Sequence, residues 1–282
     1  MRILITGAGG QVGRELLDAF ADSPTPHEVV GLTRDQLDVV DQPAVRAAFA
    51  DARPEVVVHS AAWTAVDLCE QDPQRAEAVN ASGTRHVAHA AADVGARVVY
   101  LSTDYVFDGT KATPYLEDDA TNPLSVYGRT KLAGERAMGP DDAIVRTSWV
   151  SGRHGANMVK TILRLAAEHP RLGFVHDQHG NPTFADDLAA AIVQLVEGEH
   201  MGTFHVTNQG ATTWFGVAQA VLEAAGDDPS RVDAITTAEM PRPAPRPANS
   251  VLENRALAEA GLAPLDDFRV PLQRLVDALT RA

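Results

Sequence analysis

A glycine-rich turn between the first predicted strand and the first predicted helix constrains this chain most. The apolar run Ile3–Thr6 leads directly into glycines at positions 7, 10 and 13, and a helix is predicted to begin at Val12. A side chain at Gly7 or Gly10 would obstruct the tight turn or the approach of a pyrophosphate, and Gly13 lets the helix pack against the strand. The positive end of that helix would face the phosphates. The spacing alone is also that of a simple strand–helix turn, but its place after the first strand favours a dinucleotide-binding turn.

Two kinds of segment alternate through the first half of the chain. Short runs rich in β-branched residues are predicted as strands at Ile3–Thr6, Val29–Leu32, Val56–His59, Val98–Ser102 and Ile144–Thr147. Longer alanine- and leucine-rich stretches are predicted as helices at Val12–Ala21, Ala44–Ala52, Gln74–Val94 and Val126–Met138. Because the strand runs are apolar throughout, they should be buried on both faces, as in a parallel sheet flanked by helices. The predicted fold class is therefore α/β, a doubly wound parallel sheet that is Rossmann-like.

The second half of the chain follows a different rhythm and is predicted to form a smaller C-terminal substrate-binding lobe. Its predicted elements are helices at Asn157–Glu168, Asp186–Glu197, Trp214–Ala225 and Phe268–Ala282 and a strand at Thr203–Val206. The dinucleotide-binding domain is assigned residues 1–147, with returns near 175–206 and 247–265. The lobe is assigned residues 148–174, 207–246 and 266–282. Four prolines within residues 241–247 predict an extended, non-helical segment, because proline fixes φ and disfavours helix in the preceding residue.

Composition excludes several classes of protein. The chain has 282 residues, with 24 Lys and Arg against 38 Asp and Glu, a formal net charge of −14. That balance argues against binding nucleic acid or an anionic membrane, because proteins that bind these partners carry basic surfaces. The single cysteine, Cys69, excludes an internal disulfide and a thiol-based zinc site, and the ten histidines show no metal-ligand spacing. No run approaches the ~20 apolar residues of a membrane span, and the first residues do not resemble a signal peptide, so a cytoplasmic protein is expected.

The end of the second strand sets the expectation for the adenosine half of the cofactor. An acidic residue there would bind the ribose hydroxyls of NAD, whereas an arginine accommodates the 2′-phosphate of NADP. The strand ends Gly31-Leu32-Thr33-Arg34-Asp35, which favours NADPH, with Asp35 leaving NADH as the alternative. Taken alone, Arg34 fits an exposed surface cation as well as it fits a ligand of the 2′-phosphate. Asp38 and Val39 follow at a position that approaches the adenine, although Asp38 is also suited to capping the next segment.

A tyrosine and a lysine form the candidate acid–base pair. In Tyr127-Gly-Arg-Thr-Lys131 the phenol and the ammonium are four residues apart on a predicted helix and share one face. A free tyrosine titrates near pKa ~10, and a neighbouring cation favours its phenolate. Such a pair also arises by chance in many helices. Thr103, at the carboxyl end of the fourth strand, adds a hydroxyl where open α/β sheets place their sites, and it would hold a substrate carbonyl beside the phenol.

The glycine turn, the strand-end hydroxyl and the Tyr–Lys pair, in this order, resemble the extended short-chain dehydrogenase/reductase superfamily. Within it, the whole chain resembles the dTDP-4-dehydrorhamnose reductase family. The segments that carry the resemblance are Gly10-Gln11-Val12-Gly13, Ala61-Ala62-Trp63-Thr64-Ala65-Val66-Asp67, Ser102-Thr103-Asp104-Tyr105-Val106-Phe107, Arg146-Thr147-Ser148-Trp149, Asp177-Gln178-His179-Gly180-Asn181-Pro182-Thr183 and Arg246-Pro247-Ala248-Asn249-Ser250. The last three matter most, because the general superfamily pattern does not include them.

The resemblance implies NADPH-dependent reduction of the C4 keto group of dTDP-4-dehydro-6-deoxy-L-mannose to dTDP-L-rhamnose. Tyr127 would protonate the C4 oxygen, Lys131 would tune the phenol and hold the nicotinamide ribose, and Thr103 would orient the carbonyl. The predicted substrate-binding residues are Thr103, Asp104, Tyr105, Trp149, Asn157 and Lys160, the last two by their charge and position near the diphosphate. Trp149 is alternatively a plug between the two lobes. The predicted cofactor-binding residues are Gly7, Gly10, Gln11, Val12, Gly13, Arg34, Asp38, Val39, Ala61, Ala62, Trp63, Thr64, Tyr127 and Lys131.

Several alternatives stay open at this point. A nucleotide-sugar epimerase, another 4-keto-6-deoxy-sugar reductase and a non-catalytic NADP-binding regulatory subunit would share much of this pattern. Some members of the family bind magnesium at a dimer interface through glutamates. Glu15 fits the first such position, but Asp186 and Asp187 give no assigned partners, so no metal ligand is predicted and magnesium stays open. The expected partners are a dTDP-sugar and, as a homodimer, a second copy of the chain, with a monomer as the alternative.

Overall fold

The computed structural model describes residues 1–280 of the protein. Its strands are β1 (Arg2–Thr6), β2 (Glu28–Leu32), β3 (Val56–His59), β4 (Arg97–Thr103), β5 (Ala143–Thr147), β6 (Val150–Ser151), β7 (Leu172–Val175), β8 (His179–Gly180), β9 (Thr183–Phe184), β10 (Gly202–His205), β11 (Thr212–Thr213) and β12 (Val232–Ile235). Its α-helices are α1 (Gln11–Ala21), α2 (Gln42–Ala52), α3 (Val66–Gln71), α4 (Pro73–Ala76), α5 (Thr84–Val94), α6 (Val126–Glu135), α7 (Met158–Glu168), α8 (Ala185–Glu197), α9 (Trp214–Ala224), α10 (Arg255–Glu259) and α11 (Arg269–Thr280).

Six parallel strands form the central sheet, in the order β2-β1-β3-β4-β5-β10. The chain moves outward in one direction from β1 to β2 and in the other from β3 onward. The order therefore reverses between β1 and β3, and open α/β sheets bind ligands outside the carboxyl ends of their strands at such a point. The predicted doubly wound parallel sheet is confirmed.

Helices cover both faces of this sheet because the strand side chains alternate between two apolar layers. Ile3 and Ile5 of β1 pack in one cluster with Ile192 of α8. Leu4 points to the opposite face and packs in a cluster with Phe49 of α2. The two layers fix the sheet between helices and leave its carboxyl edge free to carry a site.

A second apolar cluster lies outside the central sheet and is built from the C-terminal half of the chain. It joins Ile162 of α7, Phe174 of β7, Val221 of α9 and Leu272 of α11. Strands β7 and β12 pair in parallel beside these helices. This cluster is the core of the smaller lobe, while the residue boundaries assigned to the two parts remain a prediction. Residues 281–282 of the predicted last helix lie outside the described residues.

The main departure from the predicted elements lies in the long helix expected over Gln74–Val94. The structure has α4, then a π-helical segment at Glu77–Gly83, then α5. The wider turn buries the side chain of Asn80, which accepts the N–H of Trp63 at 2.7 Å. A π-helical turn inside a helix often marks a functional site. The predicted helix at Val126–Met138 is also shorter and ends at Glu135. Among the described helices, none is long and apolar enough to cross a membrane.

Candidate active site

Two neighbouring cavities open at the carboxyl edge of the sheet and meet at the glycine turn. The tyrosine cavity has a volume of about 440 Å³ and contains Thr103, Tyr127 and Lys131 in its wall. The arginine cavity, about 470 Å³, is lined by Arg34 and Trp63, among other residues. Gly7, Gly10, Ser60 and Ala62 line both cavities. A ligand with two halves joined by a narrow, phosphate-sized bridge fits this shape, because its bridge would lie over the glycines and the start of α1.

The glycine turn has the close backbone approach that its sequence predicts. Gly7 has φ +73°, in the left-handed region, and a Cβ there would lie 2.7 Å from the Ala61 backbone. A Cβ at Gly13 would lie 2.3 Å from the Gly7 carbonyl oxygen. Neither position accepts a side chain, so the turn keeps its backbone N–H groups close to any phosphate bound above it.

Tyr127 sits in the first turn of α6, which begins because the Ser125 hydroxyl accepts the N–H of Gly128 at 3.0 Å. A Cβ at Gly128 would lie 2.2 Å from the Tyr105 carbonyl oxygen, so the glycine lets the helix approach the end of β4. The Tyr127 ring is 7% exposed and meets the Tyr105 ring edge to face, with centroids 5.7 Å apart.

Burial, followed by the charge of Asp104, raises the pKa of Tyr127 above its ordinary value, and the Thr103 hydroxyl opposes the rise. This direction differs from the expected lowering by Lys131, because in the structure the loss of solvent around the phenol outweighs the neighbouring groups. Tyr127 is therefore a neutral phenol at neutral pH. A neutral phenol is the form that a proton donor requires.

Lys131 lies one turn further along α6 and is 2% exposed. Its Nζ donates to the Leu101 carbonyl oxygen at 2.6 Å and lies 4.2 Å from the centre of the Tyr100 ring. Burial lowers the pKa of Lys131 to about 7, and the charge of Glu135 opposes that fall. The amine thus changes its charge close to physiological pH, which is typical of buried lysines at active sites.

Thr103 and Asp104 follow directly where β4 ends. The Thr103 hydroxyl donates to Asp104 Oδ1 at 2.9 Å, while Asp104 Oδ2 is buried and has no hydrogen-bond partner. Burial raises the pKa of Asp104 to about 6, with the Ser250 and Thr103 hydroxyls beside it limiting the rise. A buried acceptor without a partner is costly unless a ligand supplies a donor. Asp104 lines the tyrosine cavity and suits a ligand with hydroxyl groups.

A buried ion pair between Arg146 and Glu135 holds α6 against strand β5. Arg146 of β5 donates to both carboxylate oxygens of Glu135, at 3.0 and 2.7 Å, and the Ser102 hydroxyl also donates to Glu135. Both charged side chains are at most 7% exposed. This two-point contact joins the helix that carries Tyr127 to the central sheet, since the planar guanidinium fixes the carboxylate in direction as well as distance.

Trp149 forms part of the wall of the tyrosine cavity. Its backbone has φ +50°, in the left-handed region that a bulky side chain rarely adopts. The indole stacks on Trp214 of α9 with ring centroids 4.0 Å apart. Trp149 therefore both faces the cavity and packs against the smaller lobe.

In the arginine cavity, Arg34 lies 3.9 Å from Asp38, and both side chains are substantially exposed. Asp38 Oδ1 accepts the N–H of Val40 at 3.1 Å, a local turn contact of the kind that the capping alternative expected. Arg14 also lines this cavity, although no sequence pattern predicts it there. Arg75, which lines the same cavity, lies 4.4 Å from the centre of the Trp63 ring. The cavity thus presents three guanidinium groups around a flat aromatic wall.

Comparison with known proteins identifies the family. The sequence matches the RmlD substrate binding domain family over residues 1–281. The chain belongs to this family. It is 46% identical, over 100% of its length and 86% of the relative's, to a protein of Mycolicibacterium smegmatis named dTDP-4-dehydrorhamnose reductase.

Two solved structures of the same name resemble the fold closely. A dTDP-4-dehydrorhamnose reductase from Clostridium acetobutylicum has a TM-score of 0.95 and 41% identity, covering 99% of this chain and 100% of that one. One from Bacillus anthracis, in complex with NADP, has a TM-score of 0.93 and 35% identity, covering 97% of this chain and 98% of that one. The resemblance read from the sequence is confirmed, and this family member is a nicotinamide-dependent oxidoreductase.

Most of the predicted site residues come together in the two cavities. The tyrosine cavity is lined by Gly7, Gly10, Gln11, Val12, Gly13, Ala62, Thr64, Thr103, Asp104, Tyr105, Tyr127, Lys131 and Trp149. The arginine cavity is lined by Gly7, Gly10, Arg34, Asp38, Val39, Ala61, Ala62 and Trp63. Asn157 and Lys160 are absent from both linings: Asn157 Nδ2 donates to Gln11 and Gly152, and Lys160 Nζ to the carbonyls of Arg153 and Gly155. Their proposed contact with the diphosphate remains a prediction.

Asn80 is the main site residue that the sequence analysis missed. Its amide oxygen accepts from the Trp63 N–H, and its Nδ2 donates to the Trp63 carbonyl at 3.1 Å and to Thr130 Oγ1 at 3.2 Å. Asn80 therefore connects the segment that lines both cavities to α6. The only sequence signal was an asparagine inside an otherwise apolar helical pattern, where its side chain competes with the backbone for hydrogen bonds.

The residues around Glu15 do not fit the magnesium ion that the sequence analysis left open. The Glu15 carboxylate, 3% exposed, accepts from Arg153 Nη2 at 2.8 Å and from Nε at 3.3 Å. Arg274 in turn donates to Asp186 and Asp187 at 3.1 and 2.5 Å. Within residues 1–280, no three His, Cys, Asp or Glu side chains form a group that could hold a metal ion. Arginines already neutralise the carboxylates that a cation would need.

Proposed function

We propose that this protein reduces the C4 keto group of dTDP-4-dehydro-6-deoxy-L-mannose to give dTDP-L-rhamnose, the last step of dTDP-rhamnose biosynthesis, with NADPH as reductant. The observation that carries the proposal is the meeting of Thr103, Tyr127 and Lys131 in one cavity beside the glycine turn. Full-length similarity to reductases of that name supports the choice of substrate.

The chain's own residues supply the proton and the orientation. A bound reduced nicotinamide supplies the hydride. As negative charge develops on the C4 oxygen, the neutral phenol of Tyr127 donates its proton to that oxygen. The Thr103 hydroxyl, which otherwise donates to Asp104, turns to donate to the same oxygen. The cationic form of Lys131 stabilises the phenolate that remains.

Three features support NADPH over NADH. Thr33 stands at the tip of β2 where a carboxylate would select NAD. Arg34 and Arg14 both line the cavity next to that tip and suit a 2′-phosphate, which guanidinium groups bind through paired hydrogen bonds. Asp35 and Asp38 in the same wall weaken the positive field, so we expect a preference for NADPH with measurable use of NADH.

The decisive experiment is turnover of a panel of 4-keto nucleotide sugars with each reduced nicotinamide. The purified protein should oxidise NADPH in a one-to-one ratio with dTDP-4-dehydrorhamnose. Tyr127→Phe should reduce kcat by at least about 100-fold, since general acid catalysis contributes about that much. Tyr115→Phe is the matched control, because that phenol lies outside both cavities and donates to Asp108.

Other results would redirect the proposal. Undiminished turnover by the phenylalanine variant at position 127 refutes the proton-donor role. Copurified NAD with interconversion of UDP-hexoses and no net cofactor oxidation indicates an epimerase. Tight NADPH binding without turnover of any 4-keto sugar, together with a copurifying enzyme, indicates a regulatory subunit.

A further inference from the structure

The loop between β6 and α7, residues 152–157, is fastened to the helix that follows the glycine turn. Arg153 in this loop reaches Glu15 of α1 with two hydrogen bonds, at 2.8 and 3.3 Å, and its Nη2 lies 3.5 Å from Asp18 Oδ2. His154 Nε2 lies 3.8 Å from Glu15 Oε1. Glu15 is buried while Arg153 is half-exposed, so the arginine covers a carboxylate that would otherwise be buried without a counter-charge.

Gln11, one helical turn before Glu15 on the same face of α1, makes a second attachment. Its Nε2 donates to the Val150 carbonyl at 3.0 Å, and its Oε1 accepts from Asn157 Nδ2 at 2.9 Å. Gln11 belongs to the glycine turn and lines the tyrosine cavity. The turn and the loop are therefore held to each other directly.

The smaller lobe holds the loop from its other side. Asn157 Oδ1 caps α7 by accepting the Lys160 N–H at 3.1 Å, and Nδ2 of the same side chain donates to the Gly152 carbonyl at 2.8 Å. Lys160 Nζ donates to the carbonyls of Arg153 and Gly155, at 2.7 and 3.0 Å. These bonds give the loop one conformation that presents Arg153 to α1.

We propose that Arg153 is a positioning residue for the cofactor, and that its ion pair with Glu15 closes the 152–157 loop against the glycine turn. Val150 and Ala156, on either side of Arg153, line the tyrosine cavity together with Gln11. Releasing the ion pair removes the charged contact between the loop and α1 and so loosens the wall to which Gln11 is bonded. The inference rests on the proposed function in that the ligand is NADPH.

The same ion pair performs the neutralising task of a divalent cation. A buried carboxylate requires a positive partner, and a planar guanidinium making two hydrogen bonds satisfies both oxygens. Cofactor affinity should therefore be independent of magnesium. Arg153 thus replaces a bound metal ion with a charge that the chain itself carries.

The test measures the Kd of NADPH, by nucleotide fluorescence, and steady-state kinetics for Arg153→Gln. The variant should raise Kd and KM for NADPH by about tenfold through loss of a charge-assisted contact, with kcat at saturating cofactor within about twofold of wild type. Arg153→Lys, which keeps the charge, should recover part of the loss. Arg164→Gln is the matched control, since Arg164 forms an exposed ion pair with Glu168 on α7 and its loss should leave Kd unchanged.

A second variant approaches the loop from the other lobe. Lys160→Met removes the two carbonyl contacts without touching the ion pair, and it should raise Kd in the same direction. If either loop variant binds NADPH as Arg164→Gln does, or if EDTA weakens binding by the wild type, the inference is wrong while the proposed function stands. If the wild type binds neither NADPH nor NADH, the proposed function fails as well.

Discussion

Replacing Lys131 with methionine should change how the stability of this protein depends on pH. Burial lowers the pKa of Lys131 from 10.5 to about 7 in the folded protein. Between these two values the unfolded chain binds a proton that the folded chain does not. The free energy of unfolding therefore rises with pH across this window. The free-energy cost of burying this amine is largest below pH 7, where the amine is charged.

The magnitude follows from the two pKa values. Integrating the proton difference from about pH 6 to about pH 9 gives a gain of about 2.5 kcal/mol in the free energy of unfolding from this one amine. Lys131→Met has no such proton, so its curve should lack that rise. The free energy of unfolding of Lys131→Met minus that of the wild type should therefore fall by about 2.5 kcal/mol between about pH 6 and about pH 9.

Urea unfolding at a series of pH values, followed by circular dichroism, measures this difference. Leu132→Met, at the neighbouring position of α6, introduces the same side chain without removing an amine, and its curve should run parallel to that of the wild type. Parallel curves for wild type and Lys131→Met would refute the reasoning, because they would mean that the folded protein does not weaken this base.

Two further changes test the supports of the site. Gly13→Ala should abolish binding of NADPH in a fluorescence titration, because its Cβ would lie 2.3 Å from the Gly7 carbonyl oxygen. Gly9→Ala is the control and should bind NADPH normally, because its Cβ would be 3.4 Å from its nearest neighbour. Equal NADPH affinities of the two variants would contradict this account of the turn. Arg146→Met should lower the free energy of unfolding by about 3 kcal/mol in urea titrations, because it leaves Glu135 buried without its partner; a loss below about 1 kcal/mol would mean that the pair is solvated.

The strands of the central sheet were the most predictable part of the fold. Val56–His59 was predicted with the bounds that the structure has, because a buried parallel strand is a continuous β-branched run and its signal is entirely local. The Tyr127–Lys131 pair was also visible, since four-residue spacing on a helix places two side chains on one face. What these segments have in common is that each pattern is contained within a few residues.

The features that escaped prediction depend on contacts between distant segments. Asn80 widens its helix because its amide meets Trp63, 17 residues away in the chain, and no periodicity contains that information. The nitrogen of Lys160 bonds to carbonyls of a loop whose path is set by Arg153 and α1. The direction of the pKa change at Tyr127 depends on how much solvent the folded chain removes, which a spacing of residues does not reveal.

Asn80 has one more consequence. The Asn80 side-chain amide bonds to the N–H and the carbonyl oxygen of Trp63 and to the Thr130 hydroxyl. Thr130 in turn donates to the Tyr127 carbonyl oxygen at 2.9 Å. A displacement of the loop that carries Trp63 is therefore transmitted through two hydrogen bonds to the turn of α6 that carries Tyr127. Asn80 thus joins the wall of the arginine cavity to the helix that carries Tyr127 and Lys131 in the tyrosine cavity.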